Sequence, residues 1–367
     1  MLEEDLLYTL ALQRARGIGD IHAKKLIHFF GSAKKALSES PENLLKIHGL
    51  GKQAVRHLRD PQNLREAARE IRYLAENAIG VSFFQDEDYP RHLSHCADAP
   101  VLLFKKGAVD LGHSPVISVV GTRKMTHYGK SFCENLLADL RGFNPVIVSG
   151  FAYGVDICAH RAALDNGLQT VAVLAHGFEE LYPKSHRKYQ QSILSNGGFL
   201  TDFWHTDGLD RVHFLRRNRI IAGLSEATVI IESAEKGGAL VTADIADSYH
   251  RDVFALPGRS NDPFSRGCNN LIKQHKAAML TSATDLIELL GWDLRQTRKE
   301  TGSKKPVAPL DKQEQPLYDF LRESGKESLD HIALRCNLSV HQTSALLFGL
   351  EMKGAVRTLP GKIYEVT

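Results

Sequence analysis

The chain has 367 residues, of which 43% are hydrophobic and 24% charged, with a formal net charge of +3. That length provides for two or three domains with a sizeable core, and the composition is that of an ordinary globular protein without a long apolar run to span a membrane. A net charge so near zero means that any surface for a polyanion must come from local clustering of cations.

The first ten residues, MLEEDLLYTL, are acidic and lack the basic-then-apolar layout of a signal peptide. Cys96, Cys133, Cys158, Cys268 and Cys336 are scattered without metal-type pairs, so free thiols in a reducing cytoplasm are expected. Glu3–Arg16 reads as an amphipathic helix turned by Gly17-Ile18-Gly19, with Ala23, Leu26, Ile27 and Phe30 continuing at helical spacing. Ser40 reads as an N-cap before Pro41, and Ile47-His48-Gly49-Leu50-Gly51 repeats the Gly-apolar-Gly theme. The pattern is similar to helix-hairpin-helix modules, and it suits a packing motif and a phosphate contact equally. Asn63–Asn77 gives another helix and Val81–Phe84 a strand, while Asp88–Phe104 reads as irregular connecting structure.

From Val116 to about Gly291 strands and helices alternate. Strands are predicted at Val116–Val120, Pro145–Ser149, Thr170–Leu174, Gly198–Thr201, Ala227–Ile231, Asp252–Ala255 and Ala277–Leu280. Helices fill the gaps around Lys130–Arg141, Asp156–Asn166 and Leu240–His250. The fold class is therefore α/β, a Rossmann-like doubly wound and mostly parallel sheet, whose ligands bind at the carboxyl ends of the strands. Leu294–Leu310 is polar, basic and broken by Gly and Pro, as a linker is. Gln313–Glu323, Leu329–Cys336 and Ser339–Lys353 then read as helices, followed by Ala355–Leu359, a Pro360-Gly361 turn and Lys362–Val366. Three short helices and a hairpin suit a winged helix, although its candidate recognition helix offers few cations for DNA. The expected division is 1–80 helical, 81–293 Rossmann-like, 294–311 linker and 312–367 winged-helix-like.

Several distinctive segments fall at predicted strand ends: Gly121-Thr122-Arg123, Ser149–Asp156 with His160 a turn later, Leu174–Gly177 followed by Tyr182-Pro183, and Gly237–Thr242. Small residues there let backbone N–H groups line a shallow anion-binding groove. Between the last two lies Phe214-Leu215-Arg216-Arg217-Asn218-Arg219, the densest basic motif of the domain. Arg217 and Arg219 cannot both enter the core unpaired, because a buried lone charge costs several kcal/mol, roughly. They pair with carboxylates or they serve a polyanion.

Enzyme readings find less support. Gly129-Lys130-Ser131 suggests a nucleotide loop, but seven residues rather than four separate it from Gly121. No G-x-G-x-x-G follows the first strand, and neither H-E-x-x-H nor a nucleophile elbow occurs. Asp156 and His160 stand at i,i+4 like an acid–base pair. The plainer reading places Asp156 at a helix start for the dipole and has His160 bond a neighbouring loop.

Taken together and in order, GTRKMTHYG, SGFAYGVDICAH, YP, FLRRNRIIAGLS, GGALVTADIA, FALPG and SRGCNNLI resemble the DprA (Smf) family of DNA-processing proteins. The resemblance implies a homodimeric protein that protects incoming single-stranded DNA and loads RecA onto it in natural transformation. It implies no catalysis, cofactor, metal or membrane. By position, the DNA-phosphate candidates are Gly121, Thr122, Arg123, Ser149, Gly150, Gly154, Arg217, Asn218, Arg219, Gly238 and Thr242, with Lys273 following the last motif. Leu271, Ile272, Met279 and Leu280 correspond to a dimer or RecA surface, or else to plain core. Tyr153 stands where a basic residue is common and can stack on a base. Gly237 replaces a usual serine, Leu215 a common proline, and His275-Lys276-Ala277 a Gly-Ala ending. The alternative class is a nucleoside-monophosphate phosphoribohydrolase, whose glycine loop is followed by a catalytic glutamate. Here Thr242 and Asp244 occupy that stretch.

Overall fold

The structure is a computed structural model that describes residues 3–112, 114–292, 310–311, 313–359 and 363–366. Apart from Leu310 and Asp311, the expected linker lies outside the described residues, as does the Pro360-Gly361 turn. The chain divides into two compact units, Met1–Leu290 and Gly291–Thr367.

The first unit opens with helices α1 (Glu3–Arg14), α2 (Asp20–Phe30), α3 (Ala33–Ser38), α4 (Pro41–Leu44), α5 (Lys52–Leu58) and α6 (Pro61–Glu76). Ser32, Ser40 and Asp60 cap α3, α4 and α6 by accepting from backbone N–H groups, and Pro41 and Pro61 occupy first-turn positions where no donor is lost. Leu10, Leu12, Leu26 and Leu44 are fully buried, in a core continuous with Leu102, Phe104 and Trp204. The helices therefore close over one end of the sheet.

That sheet begins with β1 (Gly80–Phe83) and, after the short α7 (Arg91–Ser94), β2 (Leu102–Gly107). The expectation of irregular structure up to Phe104 is corrected here, because β2 is paired on both sides, with β1 and with β6 (Gly197–Thr201), antiparallel in each case. Its Leu102-Leu103-Phe104 run is too short to announce a strand next to Pro100, and only the long-range partners define it.

The remaining strands are parallel and follow the predicted runs closely: β3 (Val116–Val120), β4 (Val146–Ser149), β5 (Thr170–Val173), β6, β7 (Ala227–Ile230), β8 (Asp252–Ala255) and β9 (Ala278–Met279). Every residue of β3, β4, β5 and β7 is buried, as expected of strands covered on both faces. Between them run α8 (His127–Asp139), α9 (Val155–Asp165), α10 (Gln190–Ser195), α11 (Arg211–Leu224), α12 (Gly238–Ser248) and α13 (Arg266–Lys273), with α14 (Ala283–Leu290) after β9. Among the described residues the order is β1-β2-β6-β5-β4-β3-β7-β8-β9. The chain moves outward from β3 to β6, returns along α11 and resumes on the other side of β3 at β7. The switch point is the gap between the carboxyl ends of β3 and β7.

On the side of α11 toward the N-terminal helices, Arg219 donates to Asp202 at 2.6 Å and to Asp20 at 3.0 Å, and Arg216 pairs with the same carboxylates at 3.0 and 3.3 Å. Asp20 also accepts from the N–H of Val101 at 3.0 Å. The Gly17-Ile18-Gly19 turn thus places at the start of α2 a carboxylate that packs this hairpin against α11 and the segment leading into β2.

The second unit packs α15 (Gln315–Ser324), α16 (Leu329–Arg335) and α17 (Val340–Met352) on a small antiparallel sheet in the order β10-β12-β11, formed by β10 (Glu327–Ser328), β11 (Val356–Leu359) and β12 (Ile363–Val366). Leu317, Leu321, Ile332, Leu347 and Leu350 form its core. Ser339 and Gln342 close a reciprocal cap at the start of α17.

Asp202 has no exposed side-chain surface. Asp202→Ala leaves Arg219 with only Asp20, and a loss of about 3 kcal/mol in unfolding free energy is expected. Urea denaturation followed by tryptophan fluorescence measures it, and an unchanged midpoint would remove the cluster from the stability of this unit.

Candidate nucleic-acid interface

The loops after β3, β4 and β7 are joined by backbone hydrogen bonds. Thr122 N donates to Glu232 O at 2.7 Å, and Val155 N donates to Thr122 O at 3.1 Å. The buried Glu232 carboxylate accepts from Thr126 N at 2.8 Å and Thr126 Oγ1 at 2.5 Å, fixing the residue that caps α8. These ties hold open a crevice of about 300 Å³, bordered by Gly121, Thr122, Arg123, Asp156, Phe214, Leu215, Arg217, Asn218, Ser233, Gly238 and Thr242 among others.

Arg217 forms one wall. Its side chain is buried, and its Nη1 donates to Gly150 O at 2.7 Å and to Val173 O, while Nε donates to Asn218 Oδ1 at 3.3 Å. It therefore caps carbonyls at the carboxyl ends of β4 and β5. Burial lowers its pKa to about 10 against the opposing pull of Asp156, and Arg123 lowers it further. The guanidinium remains charged at neutral pH. Burial raises the pKa of Asp156, with Arg217 the main opposing influence, and one Asp156 oxygen accepts from Ala152 N at 3.3 Å.

Arg123 is exposed, and among the described residues no carboxylate pairs with it. Phe214 gathers both cations, with the Arg123 guanidinium 5.4 Å and that of Arg217 6.0 Å from its ring centroid. Facing them is the start of α12, where Gly237 provides no side-chain cap. Among the described residues no acceptor pairs with the N–H groups of Gly238 and Ala239. Two cations, a helix N-terminus and a bare glycine surface converge on one volume, a ready site for an anion.

Two glycines are required by close approach. A Cβ on Gly150 would lie 2.5 Å from both terminal nitrogens of Arg217 and 2.6 Å from Asp156 Oδ2. Gly154 has φ +77°, and a Cβ there would lie 2.2 Å from Thr122 O.

Of the residues named from sequence, the crevice brings together Gly121, Thr122, Arg123, Arg217, Asn218, Gly238 and Thr242. Gly150 borders an adjoining recess with Arg123, Tyr153, His176, Tyr182, Pro183 and Phe214. Tyr153 is exposed there, its hydroxyl accepting from Ser185 at 3.3 Å, and the Tyr182-Pro183 peptide is cis. Ser149 lies beneath the floor, its Oγ donating to Val119 O at 2.6 Å, so it ties β4 to β3 and does not face the crevice. Gly154 supports the Thr122 loop from behind. Arg219 is corrected as a groove cation, because it is committed to Asp202 and Asp20 on the other side of α11. Lys273, exposed at the end of α13, does not border the crevice either. Leu271 and Leu280 are core, Ile272 packs partly against it, and Met279 is exposed on the edge strand β9.

Asp156 and His160 do not form an acid–base pair. His160 is buried and bonds Thr170 Oγ1 on β5 at 2.7 Å, a strand rather than the expected loop. Thr170 Oγ1 donates to Ile147 O at 2.9 Å, which makes the His160 Nδ1–H the donor to Thr170. Phe214 and Glu232 organise the crevice but escape a search for cations and glycines. Phe214 stands one helical turn before Arg217, and that spacing is the available signal. Asp244 is exposed and pairs with Lys276 at 2.8 Å, away from the crevice. Among the described residues no three His, Cys, Asp or Glu side chains cluster to hold a metal, and no helix is long and apolar enough to cross a membrane.

A doubly wound sheet with such a crevice at its switch point defines a protein of the Rossmann-like class. Residues 80–291 match the family described as DNA recombination-mediator protein A, and residues 301–362 match the DprA winged helix domain. Protein Smf of Synechocystis is 30% identical over 400 aligned residues, covering 100% of both chains. DNA processing protein DprA of Streptococcus pneumoniae is 41% identical over 202 residues, 55% of this chain and 71% of that one. The X-ray structure of the S. pneumoniae protein superposes with a TM-score of 0.65 at 32% identity, covering 78% of this chain and 98% of that one. A structure of DNA processing protein A from Helicobacter pylori, described for its single-stranded DNA binding mode, gives a TM-score of 0.53 at 29% identity over 59% of this chain and 96% of that one. The chain belongs to the DprA/Smf family of DNA-processing proteins.

Gly150→Ala is expected to displace Arg217 and to cost about 1–3 kcal/mol by overpacking, read as a lowered urea midpoint. For His160, burial holds the folded-state pKa down at about 3, against an ordinary value of 6.5. As pH falls below 6.5 the unfolded chain takes up a proton that the native imidazole refuses, so stability declines until about pH 3 at up to about 1.4 kcal/mol per pH unit. His160→Gln should flatten that acid limb in pH-dependent unfolding, and an unchanged slope would locate it in other groups.

Proposed function

We propose that the crevice binds the sugar-phosphate backbone of single-stranded DNA without covalent chemistry, and that the protein passes the strand to RecA. The observation that carries the reading is the pair of guanidiniums of Arg123 and Arg217 gathered at Phe214, opposite the uncapped start of α12. One phosphate sits between these groups, and Asn218 and Thr242 supply further polar contact. The adjoining recess shares Arg123 and Phe214 with the crevice, which favours a chain of nucleotides over an isolated one. Tyr153 is placed at its border to stack on a base, a contact of about 1–3 kcal/mol in such proteins.

The relative from Helicobacter pylori, described for its single-stranded DNA binding mode, supports the ligand class, and the matched family's description as a recombination mediator supports delivery to RecA. The exposed Met279 on the edge strand β9 is the surface we assign to a second copy or to RecA. In the phosphoribohydrolase alternative an acid must reach the sugar, yet Asp156 is engaged by Arg217 and Ala152, and Asp244 by Lys276.

Fluorescence anisotropy with labelled oligo-dT and duplex DNA across a salt series tests this reading. The single strand is expected to bind more tightly, with affinity falling as salt rises. Arg123→Ala should weaken binding and reduce the slope of log K against log salt by about 0.7, the share of one phosphate contact on a single strand. A folded Arg123→Ala protein with the wild-type slope would remove the crevice from DNA binding. Release of free base from AMP would favour the hydrolase instead.

A further inference from the structure

The carboxyl ends of the parallel strands lie side by side in the order β5-β4-β3-β7-β8. The recess stands over the ends of β5 and β4, where Leu174, His176 and Gly150 border it, and the crevice stands over β3 and β7. Neighbouring strands are about 4.8 Å apart, so the next station on the same line is the end of β8. The segment that leaves it, LPGRSNDPFS, carries Arg259, and Arg266 opens α13 directly afterwards. Both arginines are exposed, and among the described residues no carboxylate pairs with either.

This segment is built against the crevice wall. Ser233, which borders the crevice, donates its N–H to Phe264 O at 2.8 Å and accepts from Gly267 N at 2.9 Å. A Cβ on Gly267 would lie 2.6 Å from Ala234 O, so the start of α13 needs glycine to come this close. Asn269 braces the loop from within, accepting from Gly258 N at 3.1 Å and donating to Gly258 O at 3.0 Å. Across the rim, Tyr128 Oη at the start of α8 donates to Pro257 O at 2.9 Å. The one acid of the loop, Asp262, is used internally, accepting from Phe264 N at 2.9 Å and Ser265 Oγ at 3.0 Å. Glu235 on the β7 loop stands next to Lys236, and the two add no net charge.

We propose that a bound single strand continues past the crevice along this rim and sets two further phosphates against Arg259 and Arg266. This path presupposes that the crevice holds single-stranded DNA, and it fixes the side on which the strand leaves and where the contact ends. Guanidinium suits the task because its planar fork of donors matches phosphate oxygens. Beyond β8 the rim changes sign. The segment after β9, Thr281–Asp285, has neither Lys nor Arg, and Asp285 accepts from Thr281 N at 2.6 Å and Ser282 N at 3.0 Å. At the opposite end the segment after β6 brings Asp202 and Asp207. Acids thus bound the rim on both sides, and the cations between them lie on the loops of β3 and β8 and on α11.

The test follows labelled oligo-dT by anisotropy across a salt series, with a short strand of about four nucleotides and a long one of about twelve. Replacing both residues, Arg259→Ala with Arg266→Ala, is expected to lower the long-strand slope of log K against log salt by about 1.4, two phosphates at about 0.7 each. The short strand should keep its wild-type affinity, whereas Arg123→Ala should weaken both strands. Arg141→Ala removes an exposed cation from the opposite rim, between α8 and β4, and should keep the wild-type slope. Unchanged urea midpoints show that these surface variants fold. A double variant with the wild-type long-strand slope, while Arg123→Ala still weakens binding, would overturn the path and leave the crevice in place. Equal losses on both strands, or a loss from Arg141→Ala as large as from Arg266→Ala alone, would mean general attraction and overturn it as well. Wild-type binding of both strands by Arg123→Ala would remove the crevice, and the path with it.

Discussion

A guanidinium buried at the carboxyl ends of two parallel strands is the constraint on which the crevice depends. Arg217 satisfies part of its hydrogen-bonding capacity with Gly150 O and Val173 O and part of its charge with Asp156. Burying a cation is tolerable only with such partners, and each imposes a requirement on its own segment. The β4 loop needs glycine at 150, since a Cβ would occupy the guanidinium's place. Helix α9 must begin where Asp156 faces the strand ends. Phe214, one turn before Arg217, then covers the planar group and brings Arg123 to the same ring.

Helix geometry distributes the remaining cations of α11. Successive residues are about 100° apart, so Arg217 and Arg219 project on sides separated by about 200°. With one of them in the crevice, the other must face away, and it meets Asp202 and Asp20. Arg216 joins that second cluster, with its guanidinium 5.2 Å from the Phe203 ring centroid. One helix therefore reaches the crevice on one side and the N-terminal helical region on the other. Displacing α11 would disturb both.

Much of this was legible in the residues, because buried parallel strands are continuous apolar runs. The reading of β3 and β8 matches the observed strands, and the others differ by a residue or two at their ends. What escaped was β2, an antiparallel strand defined by its partners on both sides and not by its own short run, and the two-residue β10, defined by its pairing with β12. At the site, glycine and arginine were visible as types, and strand ends located Gly121, Arg123 and Gly238 on one rim. Linear sequence could not say which arginine of Arg216-Arg217-Asn218-Arg219 faces that rim, since the carboxylates that claim Arg219 come from residues 20 and 202. Ser149 misled for a similar reason. Its position at a strand end suggested exposure, whereas its hydroxyl turns inward to the adjacent strand. Glu232 and Phe214 were invisible as site residues because they act on other protein groups, the Thr126 cap and the two guanidiniums.

The small net charge fits this arrangement. A protein that holds nucleic acid by a broad basic face gains affinity from many released counterions and distinguishes poorly among polyanions. Here the crevice concentrates two cations, a helix N-terminus and free backbone N–H groups on one volume, and α17 of the second unit carries neither Lys nor Arg. Its exposed Val340, Phe348 and Met352 are apolar, unlike the cationic helices that approach duplex phosphates. With few charges engaged, discrimination must come from shape. A backbone that enters a narrow crevice between β3 and β7 has to bend there with its bases turned aside, which a single strand does freely and a stacked duplex resists. On the proposed function, the preference for single strands is thus a consequence of where Arg217 is buried, in the wall of a switch-point crevice instead of on an open surface.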